Sequence, residues 1–487
     1  MFSILLIFSN TLLFPQNIKS IVTINTYEDE TIESGMELQP NKYLFITRHG
    51  IFSDILSMNW WEIFGYNSRL YVTDSNLKIQ DSIDLLIPDY YTIAYKIQNI
   101  RDTIVILGRA IKTDLSEEHI FFASFTKDLV IIQIGTLGIQ GNYELFNDAD
   151  TNANGEIVIT AMSNNYANDR HNLFLVTNNK KELISYISDS TSVGYARIHY
   201  NISSDTYHLI GSKSVSFYDS NFSKINEKGF PFNGHFFYQY YVMPVNDYSY
   251  ALQGIGFFKL KNRNSGLDIS YYLVDTGVNV LDSNYIYFPD SLDNAGGLDF
   301  KTTDSIFMGG TFNTNWGGMQ PPQFQHENHH LVVQCSNLYT NEIYWTKVFA
   351  DNGNYFMKNL FVTSDNQCVV MSTLFDWQNN PVQERDIVLF KLDGNGNVLN
   401  IAPKDYYKSI YVFPIPGNKY INIKIDSTCK NILFFRLYDQ YGKLIISRKI
   451  LKTLTKIDVF NLRSGVYFFT IIDDKSNEII NGKWIKS

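Results

Sequence analysis

The chain is poor in the features that build disulfide scaffolds, charged recognition surfaces or membrane spans. Only three of its 487 residues are cysteine, Cys335, Cys368 and Cys429. An odd count argues against a disulfide framework. Cys335 and Cys368 each lie in an apolar strand pattern, where a thiol behaves as a small hydrophobe, and a bridge between these two stays open. Charged residues make up 18% of the chain, against roughly 25% in an ordinary soluble domain. Forty basic and 49 acidic residues give a net charge of −9 with no basic tract, which excludes a nucleic-acid footprint and argues against anionic partners. Beyond the first 16 residues no apolar run approaches the roughly 18 residues of a membrane helix, so no transmembrane segment is expected in the mature protein. Gly-x-Ser-x-Gly, His-Glu-x-x-His and phosphate-cradling motifs are all missing. No catalytic residue, metal or cofactor is assigned on that basis.

Aromatic side chains are what the chain has instead. Tyr and Phe number 33 and 35, and both favour strands. A seven-residue apolar segment with a small residue near its end recurs seven times: KYLFITR from Lys42, TIVILGR from Thr103, EIVITAM from Glu156, TYHLIGS from Thr206, SYALQGI from Ser249, SIFMGGT from Ser305 and QCVVMST from Gln367. A second apolar strand follows each copy, RLYVTDS and DIVLFKL among them, and most have a weaker third, such as NLKIQDS, KELISYI or GNVLNIA. An aromatic segment such as YYTIAYKIQNI precedes most copies. Four strands per unit, at spacings near the roughly 40–50 residues of a propeller blade plus loop insertions, predict an all-β, seven-bladed β-propeller over residues 27–403. Stacked blades cover one another's apolar faces, which one blade alone cannot do.

In an antiparallel blade, every connection between the second and third strands leaves on the same face. Three of these are long, in blades one, six and seven, which adjoin once the ring closes. They carry Trp60, Trp61, Trp316 and Trp377, rings suited to stacking on a sugar or anchoring a protein. The same loops hold Asp54, Glu62, Asp376 and Glu384, candidates for acid–base work if geometry pairs them. FQHENHH, with His326, Glu327, His329 and His330, lacks the fixed spacing of a metal site. DADTNANGE, Asp148–Glu156, imitates a calcium loop but puts Ala161 where the bidentate Glu belongs, and reads as a turn before a strand.

The C-terminal stretch 410–487 alternates apolar and polar residues, with Ile421, Ile423 and Ile425 and then Leu433, Phe435 and Leu437 on one face. About six short strands of this kind predict a small immunoglobulin-like β-sandwich after a linker at 404–409. Phe413-Pro414-Ile415-Pro416, Asp439 with Gly442, Leu462 with Gly465, Val466 and Tyr467, and the basic Lys483 and Lys486 occur in that order. Together they resemble the type A C-terminal sorting domain of the type IX secretion system of Bacteroidetes, with Ile415 where that family usually has Asn. The resemblance implies passage across the outer membrane, the type IX machinery as partner, and a secreted or cell-surface protein. Residues 1–16, MFSILLIFSNTLLFPQ, suit the apolar region of a signal peptide ending near residue 20, without the usual basic start. The propeller is expected to be a binding or interaction module for a glycan or protein. A carbohydrate-active hydrolase or lyase with carboxylates on the same face, or a structural surface component, are the alternatives.

Overall fold

Each of the seven repeated segments forms the second strand of a sheet with four antiparallel strands, to which blade six adds a fifth, parallel one. In the computed structural model the described residues are 16–17, 22–24, 29–50, 67–139, 143–164, 170–178, 180, 182–189, 196–211, 213–230, 238–257, 267–286, 293–312, 329–350, 353–375, 385–399, 410–413, 419–425, 433–439, 442–450, 454–473 and 478–486. Contacts divide the chain into two units, Met1–Ile401 and Ala402–Ser487. Among the described residues the first unit holds seven such sheets, and every element is a strand.

Blade one sets the pattern. Asp29–Gln39, Lys42–Gly50, Asn67–Asp74 and Ile79–Leu85 pair in sequence order. The second strand is buried almost throughout and the outermost is exposed, so the middle strands read as continuous apolar runs rather than alternating ones. Between neighbouring blades lies an apolar core. Ile106 and Phe121 of blade two pack with Leu44 and Leu70 of blade one, and the same arrangement recurs from pair to pair. A seventh core joins the last blade to the first, where Phe361, Met371 and Leu389 meet Ile32, Tyr43 and Phe45. The innermost strand Asn354–Val362 lies against Asp29–Gln39, so the ring is closed.

Polar latches reinforce that last interface. Arg385 grips Asp29 through its guanidinium and its backbone N–H, with Nε at 2.9 and 3.1 Å from the two carboxylate oxygens. The Lys391 ammonium donates to the Tyr43 hydroxyl at 2.7 Å. Val22–Ile24 forms the outer strand of blade seven, antiparallel to Ile387–Leu389. GNVLNIA, read from sequence as a third strand after the repeat, gives only the Leu392–Val398 bridge. There the tight Asp393–Asn397 turn brings the chain back for a single pairing before it passes to the second unit. Gln16–Asn17 runs parallel to Phe349–Ala350 of blade six.

The turns that follow the third strands of blades one, four and seven share one device. Asp74, Asp219 and Asp393 each accept backbone N–H bonds from the residues two and four positions on, at 2.8–3.0 Å. The residue before the last of these takes a left-handed conformation, Leu77 at φ +58° and Phe222 at +61°. That conformation costs a non-glycine residue about 1–2 kcal/mol. Both side chains are buried, which returns about 1.5–3 kcal/mol and explains why an apolar residue stands there instead of glycine.

The second unit is a two-sheet sandwich. Ile410–Phe413, Tyr420–Ile425 and Leu454–Asp458 form one sheet, and Leu444–Ile450, Leu433–Tyr438, Gly465–Asp473 and Glu478–Lys486 the other. Ile421, Ile423, Leu433, Phe435 and Leu437 point inward, around the fully buried Trp484. Leu454–Asp458 is too polar to stand out in the sequence and raises the strand count above the expected six.

Removing one partner of a buried ion pair strands the other charge, at about 3–5 kcal/mol. Asp29→Ala is therefore expected to lower the unfolding free energy of the full chain by that amount in urea. The double variant Asp29→Ala/Arg385→Leu should recover part of the loss. Equal stability of Asp29→Ala and wild type would show that the latch does not hold the ring.

Candidate functional site

Strand direction places the start of each innermost strand, the end of the second and the start of the third at one edge of the blade. In blade one Asp29 pairs with Gly50, and His49 with Asn67. Residues 51–66, 313–328 and 376–384 connect second to third strands at this edge in blades one, six and seven. Trp60, Trp61, Trp316, Trp377, Asp54, Glu62, Asp376, Glu384, His326 and Glu327 lie on these connections, outside the described residues. The strand ends that flank these connections form the floor of this edge.

That floor is rich in committed charge. Besides Asp29 and Arg385, the Arg109 guanidinium holds Glu118, with Nη2 at 2.8 Å from Oε2. Arg69 donates to Asp84 at 2.6 Å. Between blades two and three, His119 sits against two carboxylates, with Nδ1 at 2.9 Å from Glu144 and Nε2 at 3.4 Å from Glu117. Glu144 also accepts the Ile139 N–H and the Tyr186 hydroxyl, and Tyr90 donates to Glu117 at 2.8 Å. Burial works against a charged imidazole, but the hydrogen bond and charge of Glu144, with Glu117 behind it, outweigh burial and raise the His119 pKa.

A second polar region lines the ring's axis. Six of the seven innermost strands are bulged at the same level, between Ile32 and Ser34, Ala94 and Lys96, Phe146 and Asp148, Tyr238 and Tyr241, Ala295 and Gly297, and Met357 and Asn359. Each bulge inserts extra chain and re-aims a side chain. The small residue near the end of the repeated segment marks the spot. Gly108 and Gly310 face the bulges of blades two and six, where a Cβ would come within 2.0 Å of the Ile93 oxygen and 2.2 Å of the Asn294 oxygen. Thr47, Ala161 and Ser372 hold the equivalent position in blades one, three and seven.

In blades one, two, three and seven the extra residues are Glu33, Tyr95, Asn147 and Lys358. The Arg48 Nε donates to Glu33 at 2.8 Å, and Arg48 lies over the Tyr95 ring at 5.5 Å. Lys96 bonds Asp148 at 2.7 Å, and Arg197 donates to the Asn147 carbonyl. Tyr241 of blade five crosses blade six to donate its hydroxyl to the Lys358 carbonyl. Burial opposes ionisation of Glu33, but the charges of Arg48 and then Lys358 outweigh it and hold the carboxyl below the usual range. These residues are scattered from 33 to 358, and sequence reading missed them as a group.

The other motifs are structural where they are described. His329 is buried edge-on against Phe356, with centroids 5.0 Å apart, and burial pushes its pKa down to about 4, which keeps the ring neutral. Its backbone N–H donates to Asn354. In DADTNANGE, Asp148 and Asp150 accept the Ile198 and Tyr200 N–H groups of the next blade, and Asn152 to Glu156 form the turn. Among the described residues no three His, Cys, Asp or Glu side chains converge as metal ligands. Cys335 and Cys368 are free thiols buried between blades six and seven, and burial pushes Cys335 up to about 12.

In the C-terminal unit, Asp439 and Gly442 form the same kind of tight turn, with the Gly442 N–H on the Asp439 carbonyl at 3.0 Å and φ +77° at Gly442. Leu462 packs on the core. Tyr467 pairs with Trp484, their rings 5.9 Å apart, and bonds the Arg463 carbonyl. Gly465 pairs with Lys486, which is buried, and Phe468 with the exposed Lys483. Leu444, Tyr438, Phe468 and Lys483 stand in one register across the four-stranded sheet, with Leu444 and Phe468 each 47% exposed. Pro414 and Pro416 lie outside the described residues.

Residues 411–487 match the family described as Secretion system C-terminal sorting domain. No curated protein matches the chain in sequence. Similar solved structures include the β-propeller domain of the Trilobed protease from Pyrococcus furiosus, with TM-score 0.44 and 9% identity, covering 78% of this chain and 97% of that one. A PL25 ulvan lyase gives TM-score 0.46 and 10% identity over 77% and 97% of the two chains. The GH74 enzyme of Niastella koreensis gives 0.44 and 12% over 84% and 60%. Likeness at such identities is one of fold. The C-terminal unit is thus a type IX secretion sorting domain, which engages the type IX machinery and makes the chain a secreted or cell-surface protein. Among the described residues no helix is long and apolar enough to cross a membrane.

The His119 network sets a pH dependence. A histidine whose folded-state pKa is raised stabilises the fold below its unfolded value of about 6.5, and that stability is lost as pH rises through the folded value. The stability of wild type over His119→Gln, about 1.5–3 kcal/mol for hydrogen bonds to a charged group, is expected in full near pH 5 and to shrink above neutrality. Urea titrations across that range measure it. A gap that widens with pH would contradict the charged assignment.

Proposed function

We propose that the propeller is a non-catalytic binding module, delivered to the exterior by the sorting domain, whose loop face takes a glycan or a protein through Trp60, Trp61, Trp316 and Trp377. The supporting observation is the state of the floor beneath these loops. At that edge Asp29 of blade one is already engaged by Arg385, as Glu118 is by Arg109 in the neighbouring blade two and Glu33 by Arg48 nearer the axis. Hydrolysis by a carboxylate pair needs one acid held protonated and one free to act, and an acid locked to a guanidinium serves neither role. Such pairs do make a rigid base, on which loops can hold aromatic rings in position. Blades six, seven and one adjoin through their cores, so the strand ends that carry these connections are neighbours.

Trp316→Ala and Trp377→Ala are each expected to weaken binding of a ligand found by glycan-array or surface-protein screening, by about 2 kcal/mol or roughly thirtyfold. Unchanged affinity in both variants would remove the aromatic face from the reading. Depolymerisation of an array polysaccharide by the wild type, lost on changing Asp54, Glu62, Asp376 or Glu384 to the amide, would replace it with the hydrolase or lyase alternative.

The sorting domain is expected to be cleaved on export, leaving the propeller released or surface-attached. Deletion of Ile410 to Ser487 should retain the propeller in the periplasm, measured by fractionation and immunoblotting. Export of that truncation at the normal level would refute the assignment of sorting to this unit.

A further inference from the structure

We infer that the C-terminal unit docks during export through the outer face of its four-stranded sheet, onto a protein surface with an apolar centre and a rim of carboxylates. The inference rests on the sorting role of this unit and adds which face is read and by what chemistry.

Charge is the first observation. Residues 402–487 hold 15 Lys and Arg against 7 Asp and Glu, a net charge of +8. Residues 1–401 hold 25 against 42, a net charge of −17. The whole-chain value of −9 conceals this division. A unit with such a surplus attracts acidic partners and discourages basic ones.

Strand pairing shows where the surplus meets an apolar patch. An antiparallel sheet packed on one side is ordinarily polar on the other. Here Phe434, Arg436 and Tyr438 point outward, alternating with the core residues Leu433, Phe435 and Leu437. Tyr438 stands between Leu444 and Phe468, and Phe468 pairs with Lys483. In the next row Arg436 stands between Ser447 and Thr470, and in the third Phe434 is opposite Lys449. Leu444 and Phe468 are each 47% exposed, and Val466, two residues along from Phe468, is 39% exposed. Apolar and aromatic residues thus occupy the middle with Arg436 among them, while Lys449 and Lys483 stand on the two edge strands. Glu478, at the far end of the Phe434 row, is the one acid in the three rows. The Asp439 carboxylate beside Tyr438 is held in its own turn by the Lys443 N–H at 3.0 Å. The other sheet is more conventional outside. Asn422, Lys424 and Lys456 alternate with its core residues, and its exposed Tyr420 lies beneath the Lys456 ammonium at 3.5 Å, leaving Leu454 as the bare apolar residue.

An exposed apolar centre flanked by cations marks a surface that something covers. Lipid-binding clusters gather about four to eight cations together, whereas this face carries three, set around and between rings. Aromatic residues and Arg at the centre, with Lys at the margin, make up the composition of a protein interface. Its rim charges select the partner and steer its approach.

The test follows export of the full chain in the source bacterium by fractionation and immunoblotting, with thermal unfolding of each purified variant as a folding check. Arg436→Glu/Lys449→Glu reverses two charges on this face, and Phe468→Ser removes the apolar centre. Lys419→Glu/Lys424→Glu makes the same charge change at the three-stranded sheet. None of these five residues belongs to the sorting motif. The two face variants are expected to unfold like wild type and to lower the exported fraction at least fivefold. Lys419→Glu/Lys424→Glu and the charge-preserving Arg436→Lys/Lys449→Arg should both export normally. If charge reversal disturbs folding, Arg436→Gln/Lys449→Gln is scored in its place. Normal export of the face variants, or an equal loss in either control, would overturn the inference. The sorting role would still stand so long as deletion of Ile410 to Ser487 traps the chain. Two further outcomes would overturn the protein partner in favour of a lipid or a second copy: sedimentation of the wild type with phosphatidylglycerol vesicles, or a wild-type dimer in ultracentrifugation, either of them lost in Arg436→Glu/Lys449→Glu.

Discussion

Every blade of this propeller has two apolar faces and no means of covering both by itself, so the structure depends on the ring being closed. The seventh interface, between Phe361, Met371 and Leu389 on one side and Ile32, Tyr43 and Phe45 on the other, is the one the chain cannot make by continuing forward. It is also latched by polar groups. The bidentate grip of Arg385 on Asp29, the Lys391–Tyr43 bond and the outer strand Val22–Ile24 all act there. A buried ion pair is weak evidence for stability in itself. Placed where the two ends of a ring must find each other, it has a further use, since only the correct register satisfies both charges.

The closed ring in turn fixes what the two ends of the blades present. Second and third strands, buried on both faces, bring the ends of the long connections to one edge, which is rich in paired charges. The bulges of the innermost strands turn Glu33, Tyr95, Asn147 and Lys358 toward the axis. The sorting domain has its own core around Trp484, with a mixed apolar and basic outer register from Leu444 to Lys483.

Much of this was legible in the sequence because burial leaves marks. A strand covered on both faces must be apolar throughout, which is why seven copies from KYLFITR to QCVVMST could be aligned and why each proved to be a second strand. The small residue near their ends, Thr47, Gly108, Ala161, Gly310 or Ser372, was visible too, and its reason is the bulge it faces. What could not be read was set by pairing over long separations. Three residues at Val22–Ile24 give too short a pattern to announce a strand. The axial cations Arg48, Lys96, Arg197 and Lys358 come from four different blades. In the C-terminal unit the Asp439 to Gly442 turn and the alternating isoleucines were plain, since hairpin chemistry is local.

The latch between Asp29 and Arg385 joins residues 356 apart. Holding the ends of so long a loop together costs on the order of 5 kcal/mol in chain entropy, and contacts of that separation form late and slowly. Until Arg385 has been synthesised and delivered to the same compartment as Asp29, the first blade has one bare face and blade seven does not exist. A chain arriving by its N-terminus through a membrane thus stays an open, unfinished arc for most of its passage. Commitment to the native disc comes only when the final blade arrives.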